Sequence, residues 1–193
     1  MLRVQVPSGE EPRSYVWSNL AQHLTGAALN LSATVYAQSR LPLRTFEAAR
    51  LRIAQINGCE ACQVWRSQRD VPDMLRAYGM SLDHTNALDD VRLDENFYQI
   101  ISGWRSATEL SDQERIAVEY AERFALDPQG LNQDDDFWER ARPHFPDELM
   151  MDLTLCVGAF IAFGRLQSVL GVDASCAVGF APAEAPAAAA NGH

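Results

Sequence analysis

Cys59 and Cys62, separated by two residues, are the part of this sequence with the clearest capacity for chemistry. A closely spaced thiol pair can cycle between dithiol and disulfide or supply two ligands to a metal, and the thiolate is the reacting form in either case. Asn57-Gly58 closes an amphipathic run just before them, so a new helix can open at the cysteines, where unpaired backbone N–H groups stabilise a thiolate. Continued on a helix, Cys59, Cys62 and Arg66 fall at i, i+3 and i+7 along one face. The thiols can then approach each other, and the guanidinium one turn beyond Cys62 favours thiolate. A reversible Cys59–Cys62 disulfide is the expectation. Helix-start logic makes Cys59 the attacking thiol, whereas proximity to Arg66 favours Cys62. Glu47 lies twelve residues before Cys59, about 18 Å along a straight helix. It meets Arg66, directly or through a water, only if the chain reverses at Asn57-Gly58 and the two helices pack antiparallel.

Each of these residues has a plainer reading. The cysteines could be inert core thiols, Arg66 a salt-bridged helix residue, and Glu47 a first-turn acid that favours a helix N-terminus. A zinc site lacks a second ligand pair, since the remaining cysteines and histidines are scattered, so no metal or cofactor is expected. Cys156 sits in the most apolar helix and reads as packing, and Cys176 as a free thiol. Trp65 and Trp104 read as core before pocket, His84 as solvent-facing before proton relay, and Asp134-Asp135-Asp136 as a helix start that lacks the alternation of a calcium loop.

The elements that must hold the pair all read as helices. Residues 1–14 form a polar arm, and an apolar stripe from about Ser18 to Gln38 marks the first helix, with Gly26 inside it. Thr45 is the expected N-cap of the helix carrying Phe46, Ala49, Ile53 and Ile56. Asp70 and Pro72 open a short helix ended by Gly79, and another covers about Glu95 to Arg105. Ser111-Asp112-Gln113-Glu114 is a capping box for a helix to Leu126. Asn132 or Asp134 caps a short helix to Arg142, and Pro146 precedes a long apolar helix, Asp147 to Leu170. The apolar arc of that last helix is wide enough for burial by the bundle and by another subunit. Residues 173–193, rich in Ala and Pro, are expected to be a disordered tail. Six or seven helices and no strand predict one all-α domain over residues 15–172.

Composition narrows the function classes. A formal charge of -10, with 16 basic residues interspersed among 26 acidic ones, argues against an extended nucleic-acid surface. The first residues lack the apolar run of a signal peptide, and no uninterrupted apolar run reaches the roughly 18 residues of a membrane span. No membrane partner and a cytoplasmic setting are therefore expected, where a Cys-x-x-Cys pair is more naturally redox-active or metal-binding than structural.

The stretch LRIAQINGCEAC, with Glu47, Cys59 and Cys62 at a Glu-x11-Cys-x-x-Cys spacing, resembles the carboxymuconolactone decarboxylase-like family, in particular its alkylhydroperoxidase AhpD-like branch. The likeness extends more loosely from about Leu20 to Val172. It implies an all-helical AhpD-like bundle, commonly a homo-oligomer. It also implies peroxidase chemistry in which Cys62 attacks a hydroperoxide, Cys59 resolves, Glu47 organises the site, and a dithiol protein supplies electrons. The family pattern places His where this chain has Arg66. Arginine stabilises a thiolate but cannot relay a proton, so the departure bears on peroxide turnover more than on dithiol–disulfide exchange. The alternatives are a non-catalytic helical protein that binds a small ligand or a protein partner, and a lactone decarboxylase-like enzyme, which would not need the cysteine pair.

Overall fold

The computed structural model describes residues 1–172. Within them the chain forms ten α-helices: α1 (Pro12–Asn19), α2 (Gln22–Gln38), α3 (Leu43–Asn57), α4 (Glu60–Val64), α5 (Ser67–Ala77), α6 (Glu95–Ile100), α7 (Asp112–Leu126), α8 (Pro128–Asn132), α9 (Asp135–Ala141) and α10 (Asp147–Leu170). Two 3-10 turns, Asn86–Leu88 and Ile101–Gly103, complete the pattern. The all-α class expected from the sequence is observed, with more helices than the six or seven anticipated. The additions are short. Leu20 turns extended and Ala21 takes a left-handed conformation at φ 49°, so the first apolar stripe divides into α1 and α2. α8 is a single capped turn, held by Asp127, whose side chain accepts from the Gly130 N–H.

α3 is the axis of the bundle, with 11 of its 15 residues buried. Phe46, Ala49 and Ile53 pack with Ile116, Ala117, Tyr120 and Ala121 of α7 and with Leu153, Cys156 and Val157 of α10. The flank formed by Ala48, Leu51 and Ala54 packs with Phe97, Tyr98, Ile101 and Trp104, and Cys62 rests against this second cluster. A third cluster gathers Ala33 and Ala37 of α2, Trp65, Val71, Met74, Leu75 and Ala87. Trp65 and Trp104 are thus core residues. Burying aliphatic and aromatic side chains of this size contributes roughly 1.5–3 kcal/mol each, so a helix lined on two flanks is well able to fix what it carries.

Several boundaries follow the sequence signals and several move. The capping box at Ser111 and Glu114 is complete, and Asp134 caps α9. Glu114 also pairs with Arg44, tying α7 to α3. α3 begins at Leu43 after Pro42, so Thr45 lies inside the helix and is not its cap. α5 begins at Ser67, one turn before the expected Asp70, and Pro72 lies within it. α1 starts at Pro12, inside the stretch expected to be an arm, and the Arg3 N–H donates to the Leu170 carbonyl at 3.0 Å. By length and apolar composition α10 qualifies as a membrane-crossing helix, which a search for uninterrupted apolar runs misses because Asp152 and Arg165 interrupt the sequence. In the fold, its Leu153, Cys156, Val157 and Ala159 are core residues. The expected tail at 173–193, with Cys176, lies outside the described residues.

Candidate functional site

Gly58 ends α3 in a left-handed conformation, φ 64°, where its N–H and that of Cys59 return to the carbonyls of Gln55 and Ala54. Glycine adopts this conformation without the steric penalty other residues meet. The chain then reverses into α4, for which Cys59 is the N-cap, its Sγ accepting from the Cys62 N–H at 3.2 Å. Cys59 and Cys62 are joined in a disulfide, with a Cα–Cα separation of 5.3 Å. Cys59 is fully buried, while Cys62 is half-buried, so the two sulfurs differ in access.

Asn57 fixes the turn to α10. Its Nδ2 donates to the carbonyls of Phe160 and Ile161 at 3.1 and 3.4 Å, and its Oδ1 accepts from Arg165 Nε at 3.2 Å. A side chain at Gly164 would meet this amide, for its Cβ would stand 2.7 Å from Asn57 Nδ2.

Beneath the disulfide helix lies a buried polar network centred on Glu47, which is 0% exposed. Its Oε1 accepts from Arg50 Nε at 2.5 Å and from Ser67 Oγ at 2.6 Å, and its Oε2 accepts from Arg50 Nη2 at 3.1 Å. The Tyr98 phenol lies within the field of this carboxylate. Burial, followed by the Glu47 charge, pushes the Tyr98 phenol above its ordinary range, so it remains neutral. Arg50 is 2% exposed; burial disfavours its charge, but the Glu47 carboxylate outweighs that and holds it cationic. Arg50 Nη1 donates to the Cys62 carbonyl at 2.6 Å and Nη2 to the Trp65 carbonyl at 3.0 Å. Glu47 therefore acts on the cysteine helix through Arg50.

Arg66 is placed differently from the sequence expectation. α4 ends at Val64, and Trp65 and Arg66 are extended, with Trp65 anchored in the third core cluster. Arg66 consequently becomes the N-cap position of α5 and does not share a helical face with the cysteines. Its guanidinium stacks over the Tyr98 ring at 3.9 Å and forms a two-pronged pair with Glu95 at 3.0 and 2.8 Å. The anticipated Glu47–Arg66 pairing is replaced by two pairs, Glu47–Arg50 and Arg66–Glu95. Arg50 could have been suspected from its i, i+3 spacing to Glu47. Ser67, Tyr98 and Glu95 reach the site through tertiary packing and left no local signal.

The other titratable candidates stand apart. His84 is exposed. Cys156 is buried in α10, its Sγ 3.5 Å from Asp152 Oδ1, and burial pushes its thiol up to about 12. It is a protonated core thiol at neutral pH. Asp134 serves as a helix cap.

No family model matches the chain. It is 25% identical over 134 residues to the uncharacterized protein YdfG of Bacillus subtilis, covering 69% of this chain and 78% of that one. It is 31% identical over 74 residues to the uncharacterized protein YnjA of Escherichia coli, covering 38% and 40% of the two chains. A crystal structure from Agrobacterium tumefaciens, described as a protein of unknown function and a candidate antioxidant defence protein AhpD, superposes with a TM-score of 0.57 at 24% identity, over 80% of this chain and 92% of that one. The fold is AhpD-like. With a cysteine pair bonded at the turn after its central helix, it has the elements of a redox site.

Proposed function

We propose that this protein is a thiol-dependent oxidoreductase, in which the Cys59–Cys62 pair reduces hydroperoxides and is itself reduced by a dithiol protein partner. The observation that carries this reading is the asymmetry of the bonded pair: a half-buried Cys62 available to attack and a fully buried Cys59 within bonding distance to resolve. In the forward half-reaction the Cys62 thiolate attacks the terminal peroxide oxygen and the O–O bond breaks. The alkoxide takes a proton from solvent on the open side of Cys62 to leave as an alcohol, and Cys62 becomes a sulfenic acid. The Cys59 sulfur then displaces that oxygen as water and the disulfide forms. In the return half-reaction a partner dithiol passes two electrons and two protons to the pair and becomes a disulfide.

Arg66 has the charge to favour thiolate but spends its hydrogen bonds on Glu95 and on backbone carbonyls, so Glu47 and Arg50 are the organising pair in this scheme and Arg66 is peripheral to the sulfurs. The partners are a small hydroperoxide and a dithiol or disulfide protein, in a reducing compartment such as the cytoplasm. The exposed apolar residues along α10, Met151, Leu155, Leu166 and Val169, support a homo-oligomer in which a second copy covers them.

Trapping the sulfenic acid tests the assignment. C59S treated with one equivalent of cumene hydroperoxide and then dimedone is expected to carry the adduct on Cys62, and C62S to carry none. An adduct on Cys59 in C62S alone would reverse the roles, and no adduct in either variant, with no disulfide regained by the unaltered protein, would overturn the peroxidase reading.

A further inference from the structure

The short helix that carries the cysteines ends in an unusual set of contacts. Arg50 donates to the carbonyls of Cys62 and Trp65, at 2.6 and 3.0 Å. Arg66 Nη1 donates to those of Gln63 and Trp65, at 2.7 and 2.9 Å. Arg69 Nη2 reaches that of Val64 at 2.8 Å. The four consecutive carbonyls from Cys62 to Trp65 are those that a helix end leaves without backbone partners, and each is held by a guanidinium. The three arginines come from α3, from the N-cap of α5 and from α5 itself. Helix ends are ordinarily closed by water, a glycine or a single side chain. Three arginines exceed what terminating a helix of five residues requires.

Each guanidinium also has its own carboxylate: Arg50 has Glu47, Arg66 has Glu95 and Arg69 has Asp70. Their fields at the sulfurs are therefore largely cancelled, and what the three supply in common is position. Position matters most when the disulfide opens. An isolated helix of one turn does not hold itself together in water, and the covalent tie between Cys59 and Cys62 is then gone. We propose that Arg50, Arg66 and Arg69 form a clamp that holds the backbone from Cys62 to Trp65 in place in the dithiol state, keeping the two thiols preorganised to rebond. They are positioning residues for the redox pair, and the proposal rests on the reading of Cys59–Cys62 as a reversible couple. Arg50 shows why the residue type matters: its fork spans one carboxylate and two carbonyls at once, which a lysine ammonium cannot reproduce.

The test is the equilibrium with glutathione, in which the protein disulfide and two glutathione thiols give the protein dithiol and glutathione disulfide, two electrons and two protons passing to the cysteine pair. The dithiol-to-disulfide ratio is read by thiol trapping and intact mass in the full chain and in R50K, R66K and R69K, with folding checked by circular dichroism. Lysine keeps the charge and removes the fork. The clamp predicts that the effective concentration of one thiol at the other falls about tenfold in R50K and R66K, and less in R69K, which loses a single contact. The neutral variant R66M should shift in the same direction as R66K.

Lysine variants that equilibrate like the unaltered protein, with R66M shifting toward a more stable disulfide, would assign the arginines a charge role and overturn the clamp. Unmoved equilibria in all variants would overturn it as well. Should R50K fail to fold, R66K and R69K decide the matter. A disulfide in the unaltered protein that neither glutathione nor dithiothreitol opens would instead overturn the redox reading on which the clamp depends.

Discussion

Glu47 and Arg50 form an ion pair removed from water, and such a pair is fragile in a specific way. Removing one partner leaves the other charge buried and uncompensated, at a cost of about 3–5 kcal/mol. E47Q is accordingly expected to lower unfolding stability by that amount in urea titrations, and a loss under 1 kcal/mol would show that Arg50 finds other compensation. The thiols divide just as sharply. Among the described cysteines of the native, reduced protein at pH 8, Cys62 is expected to alkylate first, Cys59 more slowly and Cys156 only on unfolding, because burial shields its thiol and pushes it up to about 12. Peptide mapping after timed iodoacetamide treatment gives the order, and early labelling of Cys156 would contradict its burial. At this scale the sequence singled out the cysteines and Glu47 but looked to Arg66 as the partner of Glu47, which pairs with Arg50. Arg66 stood at helical spacing from Cys62, yet the helix ends at Val64, where Trp65 and Arg66 turn extended and the Arg66 N–H goes to Asp70 Oδ2. Arg50, nearer to Glu47 in sequence and buried with it, carries the connection.

Among the elements, the turn between α3 and α4 is where the site meets the rest of the bundle. Asn57 bonds to α10 beside a position with no side chain, so G164A should displace the Asn57 amide from its bonds to Phe160 and Ile161, a cost of about 1–3 kcal/mol. The roughly 1 kcal/mol helix gain of alanine only partly offsets this, and the net effect is read as a lower midpoint in thermal or chemical unfolding. An unchanged midpoint would show that the amide can move without loss. The long helices were legible because a capping box, a left-handed glycine and a wide apolar arc are local signals: α7, the end of α3 and α10 all follow them. α1, α4 and the early start of α5 were passed over for different reasons. α1 has a local start signal, Glu11 accepting from the Arg13 and Ser14 N–H groups with Pro12 in the first turn, inside a stretch read as an arm. α4, in contrast, is a single turn whose end is held by arginines from α3 and α5.

For the molecule as a whole, α3 and α7 are also joined by a charged cluster in which Glu122 accepts from Arg52, Arg105 and Trp104. Burial works against the Glu122 charge, but the hydrogen bonds from Arg105, Trp104 and Arg52 outweigh it and hold the carboxyl below its ordinary range. A carboxyl with a depressed folded pKa contributes stability that is complete above its unfolded value, about 4.3, and is lost as pH falls through the folded value. The melting temperature of the unaltered protein should therefore be level above about pH 5 and fall in acid more steeply than that of E122Q, which starts lower. Parallel pH profiles would contradict this. The fold class was readable from the sequence because the long helices, the buried central one among them, leave periodic traces; the assembly was not, because an exposed apolar face does not name its cover.

The central claim, that Cys62 and Cys59 act together on a peroxide, is tested most directly by stopped-flow mixing of the fully reduced protein with cumene hydroperoxide, with the products read by intact mass after thiol labelling. The account predicts consumption of two thiols per peroxide, formation of the Cys59–Cys62 disulfide, and a rate well above that of a free solution thiol that C62S abolishes. A rate equal to that of a free thiol and unchanged in C62S would contradict it.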